Sequence, residues 1–327
     1  MPSPRVLVVK LSSLGDLFHV LPAVHAIREG LGGAVDWVTQ TEYAALVRCF
    51  TDVERVMAFP RQEFPAGLGS FLWALRSASY DMVLDFQGLL KSALVAWLAR
   101  APRRIGPASG REGAPRFYTE RIGPLDRSRH AVEQGLDLAR HLGVKIPEPV
   151  FPVSFPPVEI TLPRPRVALV PCSRWPTKNW PADLFYDVAR GLQEQAGASV
   201  LLFGAPEDRE TCTAIARGLS GHILDLCGRT SLVELGGWMA GVDLVISVDS
   251  GPMHIAAALG RPVLALFGPT DPARTGPYGP MHRVLQVTDC ECRPCYQRTC
   301  EREDLACLRR ISPGLVIRNA LEMLAAI

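Results

Sequence analysis

The sequence predicts an α/β protein made of two doubly wound parallel-sheet domains that face each other across a cleft. Three observations lead to this fold class. Short apolar runs rich in β-branched residues alternate with segments of helical periodicity along the chain. This alternation occurs twice, once on each side of a proline-rich stretch. The length of 327 residues suits two domains of ordinary size.

In the first half, strands are predicted at short runs rich in apolar and β-branched residues, at Val6–Val9, 35–38, 53–59 and 82–86. Helical spacing is clearest from Leu17 to Ile27, and the Gly30–Gly33 cluster ends that helix. Pro22 either kinks the helix or lies in its first turn. Further helices are expected at 42–49, at 67–78, after Gln87 and from His130 to Leu142.

The domain boundary is predicted at a proline-rich linker. Seven prolines lie between Pro147 and Pro165, in a stretch with little periodicity, which is typical of a semi-rigid linker. We therefore expect domains at 1–158 and 159–327. In the second, strands are expected at 166–171, 199–203, 222–226, 243–248, 262–267 and 283–287, and helices at 181–195, 206–218, 231–240, 252–259 and Pro313–Ile327.

The stretch from Leu244 to Pro272 is the most informative part of the chain. An apolar strand leads into Asp249 and Ser250, which could cap a helix, and Pro252 suits the first helical position. Ligands bind at the carboxyl ends of strands in such folds, and a helix N-terminus there favours an anion such as a diphosphate. The alternative is an ordinary capped helix. The cluster of Asp, Ser, Gly and His in six residues, with a second Gly-Pro-Thr-Asp turn at 268–271, favours a ligand site.

Composition and termini exclude several classes of protein. Hydrophobic residues make up 48% and charged residues 21%, which is typical of a globular protein. With 35 Lys and Arg against 33 Asp and Glu, the net charge of +2 gives no field that would attract nucleic acid. No apolar run approaches the roughly 18 residues needed to span a bilayer, and Met1–Arg5 leads into no signal-peptide core. We expect a cytoplasmic monomer whose nine cysteines are mostly reduced.

Missing motifs narrow the chemistry further. No G-x-G-x-x-G follows a predicted strand, and the chain has no G-x-x-x-x-G-K-[ST] sequence, so a redox dinucleotide domain and a P-loop nucleotidase are disfavoured. There is also no G-x-S-x-G nucleophile motif. No D-x-D pair is present that could hold a divalent metal on a diphosphate.

Three polar clusters remain, each directly after a predicted strand: Ser12–Asp16, Cys172–Trp180 and the Asp249–His254 turn. Lys178 and a helix N-terminus could together neutralise a diphosphate without a metal ion. Asp16, in the first domain, would face them across the cleft. The simpler interpretations are that Asp16 caps a helix, that Lys178 is a solvated loop lysine, and that Trp175 and Trp180 only pack.

Four motifs resemble those of the lipopolysaccharide heptosyltransferases of glycosyltransferase family 9. They are Lys10–Asp16 with Leu21-Pro22-Ala23, Asp85–Ser92, Thr177–Pro181 and Val248–His254, and the similarity runs from residue 5 to the C-terminal helix. The resemblance implies the GT-B fold of two Rossmann-like domains, the first binding the acceptor and the second the nucleotide sugar. It leaves open whether the C-terminal helix packs back on the first domain.

The same resemblance implies an activity. Members of the family move heptose from ADP-heptose to the inner core of the lipid A–linked saccharide, either Kdo-lipid A or its heptosylated form. They do so with inversion and without a metal or other cofactor. The partners implied are thus ADP-heptose, an anionic saccharide acceptor and the inner face of the inner membrane, where the enzyme would be peripheral.

Site residues follow from the resemblance position by position. Asp16 matches the proposed catalytic base, and Ser173 and Lys178 match positions that contact the donor diphosphate. The remaining donor-binding matches are Glu207, Asp249, Ser250, Gly251 and His254. Arg174 departs from the hydroxyl pair common in heptosyltransferase I. The run from Gly268 to Gly279 resembles heptosyltransferase I, whereas the cysteine-rich tail resembles heptosyltransferase II, so the acceptor is left open.

An anionic acceptor calls for cations in the first domain. Arg61, Lys91 and Arg111 are expected to form a basic rim for it, together with Arg103 and Arg104. Each of them taken alone fits a solvated surface charge equally well. As a group they also favour contact with an anionic membrane surface.

The cysteine-rich tail raises an alternative. Its pattern is Cys290-x-Cys292-x2-Cys295-x4-Cys300-x6-Cys307, in which only Cys292 and Cys295 have the usual spacing of a zinc pair. We predict a reduced, metal-free loop or helical insertion. A zinc-binding interaction protein is the non-enzymatic alternative, and a nucleotide-sugar hydrolase or epimerase of the same fold is the enzymatic one.

Overall fold

A computed structural model of the chain describes residues 3–63, 65–123, 126, 128–146 and 148–327. The chain forms two compact units, Met1–Ser154 and Phe155–Ile327. The division falls within the predicted linker, four residues before the expected boundary after residue 158. Pro147, at the start of that linker, lies outside the described residues.

The first unit is built on a parallel sheet with helices between successive strands. The sheet has the strand order β3-β2-β1-β4-β5-β6. Strands β1 to β3 are added toward one edge of the sheet and β4 to β6 toward the other, and the switch point between β1 and β4 is where ligands bind in such sheets. The elements are β1 (Val6–Val9), α1 (Leu14–Leu31), β2 (Val35–Gln40), α2 (Ala44–Val47), β3 (Arg55–Phe59), α3 (Leu68–Arg76), β4 (Met82–Asp85), α4 (Leu90–Leu98), β5 (Arg103–Pro107), β6 (Glu120–Ile122) and α5 (Ala131–His141).

The second unit repeats the plan with the order β12-β11-β10-β7-β8-β9, again all parallel, and its switch point lies between β7 and β10. The elements are β7 (Arg166–Val170), α6 (Ala182–Ala196), β8 (Ser199–Leu202), α7 (Arg209–Ala216), β9 (Ile223–Asp225), α8 (Leu232–Ala240), β10 (Leu244–Val248), α9 (Gly251–Ala258), β11 (Val263–Phe267), α10 (Pro272–Thr275), β12 (Arg283–Gln286), α11 (Ala306–Arg309) and α12 (Pro313–Ala325).

Both cores lie against the central strands. Every residue of β1 and of β10 is buried, as expected for strands covered by helices on both faces. In the second unit Trp180 and Phe185 pack edge to face at 5.0 Å between ring centroids. The C-terminal helix α12 packs on α6 and on the strands β10 and β11, so it completes the core of the second unit.

The predicted doubly wound α/β fold is confirmed, and the differences are local. Pro22 lies inside α1 rather than in its first turn. The strands β5 and β6 were not predicted because they are short, start with charged residues, and in β5 contain Gly106 and Pro107. The four-residue helices α10 and α11 are too short to show a periodicity. Within the described residues, no helix is both long and apolar enough to cross a membrane.

Candidate active site

In the first unit the loop after β1 places Asp16 in the first turn of α1. Ser13 is the N-cap of that helix, and Asp16 accepts hydrogen bonds from the Ser13 backbone N–H at 2.9 Å and from the Ser13 hydroxyl at 2.8 Å. The predicted alternative that Asp16 has a capping role is therefore correct as far as it goes. The bonds occupy one carboxylate oxygen, Oδ2, and the side chain is still 42% exposed.

The second carboxylate oxygen of Asp16 lies near the His19 imidazole, and the Lys10 ammonium also acts on the carboxylate. Asp16 Oδ1 lies 3.8 Å from Nδ1 of the buried His19. The His19 ring packs edge to face on His130, with 5.5 Å between ring centroids. Partial burial acts to raise the pKa of Asp16, but Lys10, His19 and the hydrogen bond from the Ser13 backbone N–H outweigh it and hold that pKa well below its usual range. Asp16 is therefore ionised at any physiological pH.

The Asp85–Ser92 motif holds this loop in place. The Gln87 side-chain oxygen accepts from the backbone N–H groups of Leu11 and Ser12, each at 3.2 Å. Asp85 is fully buried and accepts from the Gln87 and Gly88 backbones and from the Tyr118 hydroxyl, the last at 2.7 Å. These bonds tie the segments after β1 and β4 together, so the motif positions Asp16 at the switch point of the sheet.

The predicted basic residues divide into two groups. Arg61, Lys91 and Arg111 follow β3, β4 and β5, so all three lie toward the same carboxyl edge as Asp16. Arg103 and Arg104, in contrast, serve the structure of the sheet. Arg103 forms a bidentate salt bridge with Glu120. The Arg104 guanidinium donates to the backbone carbonyls of Ala101 and Phe117. Only the first group is free of such structural bonds within the described residues.

In the second unit an ion pair spans the switch point. Lys178 follows β7 and Asp249 follows β10, and the Lys178 Nζ lies 2.7 Å from Asp249 Oδ2. The hydroxyl of Thr270, in the turn after β11, donates to the same oxygen at 2.6 Å. Lys178 is 16% exposed and Asp249 only 6%, so Lys178 is an ordered, partly buried cation and not a solvated loop lysine.

Trp175 supports this lysine. The Lys178 Nζ lies 4.6 Å from the centroid of the Trp175 ring, and the Arg298 guanidinium lies 5.0 Å from the same centroid. Trp175 is therefore not only a packing residue, because it binds two cations through its π system. Trp180 does pack in the core, and its indole N–H donates to the Leu308 carbonyl at 3.1 Å.

The turn before α9 differs from an ordinary capped helix. Ser250 occupies the N-cap position but makes no capping bond, since its hydroxyl lies 3.0 Å from that of Ser247. The Asp249 carboxylate is directed to Lys178 and Thr270. Gly251 begins the helix and the buried His254 lies in it. Neither the Asp249 nor the Ser250 side chain caps α9. The first backbone N–H groups of this helix are therefore not occupied by an N-cap side chain and could bind an anion.

Two further predicted donor residues lie at the same edge. Ser173 follows β7, and its backbone N–H donates to the Asn179 side chain at 2.8 Å, which fixes the loop that carries Lys178. Glu207 lies in a short 3₁₀ helix, Pro206–Asp208, after β8 and is exposed. Strands β8, β7 and β10 are adjacent, so these residues and the Lys178–Asp249 pair share one end of the sheet.

The cysteine-rich tail docks on the loops of this site. The Thr177 hydroxyl donates to the Gln297 carbonyl at 2.7 Å, and the Tyr296 N–H donates to the Pro269 carbonyl at 3.0 Å. The Arg293 guanidinium donates to the carbonyls of Gly268 and Thr270. The tail thus supports the loop that carries Lys178 and the turn that carries Thr270. The cysteine pattern alone did not predict this role.

All nine cysteines are free thiols. Four tail cysteines, together with Thr177 and Pro269, line a small cavity of about 70 Å³: Cys292, Cys295, Cys300 and Cys307. Among the described residues, the side chains that bring three potential metal ligands within 4.8 Å of one another lie outside the tail. They are Cys212, Asp225 and Cys227. Burial raises the pKa of the Cys212 and Cys227 thiols, which favours their protonated form.

The structure therefore assembles the predicted residues into two groups, one per unit. Asp16, Lys91 and Arg111 follow neighbouring strands of the first sheet, and the donor residues surround the switch point of the second. Sequence reasoning missed His19, His130 and Arg298. The two histidines come from helices over a hundred residues apart in sequence. Arg298 lies in the cysteine-rich tail, and its contact with Trp175 depends on how the tail folds.

The chain is similar to known proteins over almost its whole length. The profile of glycosyltransferase family 9 (heptosyltransferase) matches residues 69–306. Lipopolysaccharide heptosyltransferase 1 of Pseudomonas aeruginosa is 33% identical over 98% of both chains. These matches span the two turns of the ion pair and the Asp85–Ser92 motif.

Solved structures give the same result. Escherichia coli heptosyltransferase WaaC, in a structure with ADP, matches with a TM-score of 0.80 and 28% identity, over 98% of this chain and 99% of that one. E. coli ADP-heptose lipopolysaccharide heptosyltransferase II matches with a TM-score of 0.79 at 22% identity, over 98% and 99% of the two chains. The second match speaks for the fold alone.

Proposed function

The chain belongs to glycosyltransferase family 9, the heptosyltransferases, and we propose that it transfers heptose from ADP-heptose to the inner core of lipopolysaccharide. The proposal is that transfer proceeds in one inverting step without a metal ion. The first unit would bind the acceptor and the second the donor. Support comes from the site geometry, from the full-length relative in P. aeruginosa and from the ADP-bound structure of WaaC.

The ion pair between Lys178 and Asp249 is the observation that carries this proposal. An ammonium group held at a switch point by a buried carboxylate is preorganised, because its position is fixed before any ligand arrives. A diphosphate placed there would meet Lys178 and the N-terminal N–H groups of α9 together. Asp249 would keep its bond from Thr270 and would accept a hydrogen bond from a hydroxyl of the nucleotide sugar.

The same groups stabilise the leaving group. As the glycosidic bond to the diphosphate breaks, negative charge grows on the departing oxygen, and a fixed cation and helix dipole lower the energy of that state. Lys178 and α9 thereby supply the positive charge that a divalent metal supplies in other enzymes. This is the physical support for metal-independent transfer.

Asp16 is the proposed base. The acceptor hydroxyl is too weak an acid to ionise beforehand, so its proton must leave while the new bond forms. Because the pKa of Asp16 is lowered, its carboxylate is always ready but attracts a proton only weakly. Proton transfer would then come late, once the hydroxyl has become acidic through bonding to the sugar. A single displacement with one carboxylate inverts the anomeric centre, by analogy with glycosidases.

The acceptor proposed is Kdo-lipid A. The P. aeruginosa relative, matched over 98% of both chains, is a heptosyltransferase 1, which favours the first transfer over the second. Arg61, Lys91 and Arg111 would contact the carboxylates and phosphates of this saccharide. Such a substrate lies at the inner face of the inner membrane, where we propose that the enzyme acts as a peripheral monomer.

Product analysis tests the proposal. Purified protein is incubated with ADP-heptose in the presence of a chelator. The acceptor is Kdo-lipid A, heptosyl-Kdo-lipid A or absent, and the products are identified by mass spectrometry. We expect Kdo-lipid A to gain one heptosyl unit and ADP to be released. Free heptose without an acceptor would indicate a hydrolase, and an isomerised donor would indicate an epimerase. Exclusive use of the heptosylated acceptor would reassign the transfer to the second step.

A further inference from the structure

Helix α4 carries an exposed apolar stripe. Leu90, Leu94 and Trp97 recur at helical spacing, and their exposed fractions are 36%, 37% and 53%. The opposite face of α4 is buried in the core through Ala93, Val95 and Ala96. Large apolar side chains on the outer face of a helix that is already packed are not needed for folding. A contiguous exposed apolar patch of this kind marks an interaction surface.

The neighbouring helix α3 extends this patch. Trp73 is 75% exposed, whereas Phe71 and Leu75 of the same helix are buried. The two helices pack together, and the Arg76 guanidinium at the end of α3 donates to the Leu98 carbonyl at the end of α4. Trp73 and the α4 stripe therefore belong to one layer on one side of the first sheet. We call Trp73, Leu90, Leu94 and Trp97 the α3–α4 surface.

The segments that carry this surface contain cations and no carboxylates. From residue 86 to residue 111 the chain contains no Asp or Glu but five cations, of which Arg103 and Arg104 are used within the sheet and, among the described residues, Lys91, Arg100 and Arg111 are not. Residues 64–80 likewise contain one Arg and no acid. Of the flanking carboxylates, Glu63 and Glu112 lie at the N-terminal ends of α3 and α4, and Asp81 and Asp85 accept hydrogen bonds from Arg5 and Tyr118. The body of the two helices is therefore apolar and basic.

This combination fits an anionic bilayer. Trp is the side chain that best occupies the boundary between lipid headgroups and acyl chains, and Leu adds apolar area. Each Lys or Arg near the surface adds attraction to anionic lipid. A second copy of the chain fits less well, because self-association would bring two cationic surfaces together. The absence of acids in these two segments also argues against a basic protein partner.

We propose that the α3–α4 surface docks the first unit on the anionic face of a phospholipid membrane, with Trp73 and Trp97 inserted at the headgroup level. The inference rests on the proposed function for its purpose: α4 starts at the carboxyl edge of the sheet, beside the Asp16 loop, so Leu90 and Lys91 lie at the same edge as the base. Docking through α4 would bring a lipid-linked acceptor to this edge.

Vesicle flotation tests the docking itself. Wild type, the double variant Trp73→Ser/Trp97→Ser and the control Met281→Ser, which removes an exposed apolar side chain of the second unit, are mixed with vesicles of phosphatidylglycerol and phosphatidylcholine in equal parts, or of phosphatidylcholine alone. We expect wild type and control to bind the anionic vesicles, and the double variant to bind at least about tenfold more weakly. Equal binding by all three proteins would overturn the proposal.

An activity measurement separates this proposal from the proposed function. With a deacylated, soluble acceptor the double variant should keep the wild-type kcat/KM, whereas with the lipid-linked acceptor in anionic vesicles its kcat/KM should fall about tenfold or more. Equal rates in vesicles would contradict docking while leaving the transfer reaction intact. Loss of activity on the soluble acceptor at an unchanged melting temperature would also contradict it, as would wild-type dimers in light scattering that the double variant abolishes.

Discussion

Lys178 and Asp249 come from opposite sides of the switch point in the second sheet and meet at 2.7 Å. They lie 71 positions apart in the sequence, so the fold of the whole unit is needed to join them. The Thr270 hydroxyl donates to the same carboxylate oxygen and so fixes Asp249, which in turn holds the Lys178 ammonium in place. This pair links the doubly wound fold to nucleotide-sugar binding, and it is the first part of the site that mutation should test.

Lys178→Ala should weaken donor binding. The lost charge-assisted contact is worth about 1.5–3 kcal/mol, which corresponds to roughly ten- to a hundredfold in affinity. Titration calorimetry with ADP measures this directly. Lys145→Ala, which removes an exposed lysine of the first unit, is the control and should bind ADP as wild type does. Unchanged ADP affinity in Lys178→Ala would remove Lys178 from the donor site.

Neutralising Lys91 or Arg111 should raise the KM for the acceptor without changing donor affinity. Both side chains lie toward the edge that carries Asp16, and an anionic saccharide would lose one ionic contact in each variant. Steady-state kinetics with soluble acceptor checks the split. Arg103→Ala is the matched control, because Arg103 is already paired with Glu120 and should not affect the acceptor KM. Parallel losses of donor and acceptor binding would argue against a separate basic rim.

Acid should destabilise the protein through His282. Burial lowers the pKa of His282 to about 4, against a partial opposing effect of the Tyr278 backbone. The unfolded chain takes up this proton near pH 6.5 and the folded chain only near 4, so the stabilisation is complete above 6.5 and is lost as the pH falls to 4. Because His282 is only partly buried, the resulting loss of unfolding free energy should be less than about 3 kcal/mol. Denaturant unfolding of wild type and His282→Asn from pH 7.5 to 4 measures it, and parallel curves would refute it.

The tail should be reduced and free of metal. Its sulfur atoms line a common cavity, but the described residues that bring three ligand atoms within 4.8 Å of one another lie elsewhere. We expect elemental analysis of protein purified without chelator to find far less than one zinc or iron per chain. Stoichiometric metal that disappears in Cys295→Ser would show that the four tail thiols lining the cavity close around an ion.

Much of the fold could be predicted because its strands are buried on both faces. Uninterrupted apolar runs such as Val6–Val9 and Leu244–Val248 have no other stable place than the middle of a parallel sheet. The strands β5 and β6, at one end of the first sheet, were not predicted because their stability comes from pairing with neighbouring strands. Arg103, Arg104 and Glu120 replace the expected apolar residues and bond to one another or to backbone.

The site was predictable only in part. The residue types at the ends of strands β1, β7 and β10 suggested chemistry, and the family resemblance assigned the roles. The partners of these residues could not be predicted from the sequence, because the Lys178–Asp249 and Asp16–His19 contacts depend on how the loops fold. Ser250 shows the difference: the sequence favoured it as a helix cap, yet its hydroxyl turns to Ser247 and leaves the start of α9 without that cap.

Asp16 is the residue on which the proposed reaction depends most directly. Asp16→Asn keeps a side-chain oxygen that can accept from Ser13, so α1 should remain capped and the donor site in the second unit is untouched. Only the proton acceptor is lost. Loss of a general base typically costs about 10²–10⁴ in rate. A variant with intact folding and donor binding therefore isolates the catalytic step.

The most direct test is the single-turnover rate of heptose transfer from ADP-heptose to Kdo-lipid A by wild type and Asp16→Asn, with ADP affinity and melting temperature measured on the same samples. We predict a rate lower by about 10²–10⁴, with both other quantities near wild type. Transfer by Asp16→Asn within about tenfold of the wild-type rate would show that Asp16 is not the base.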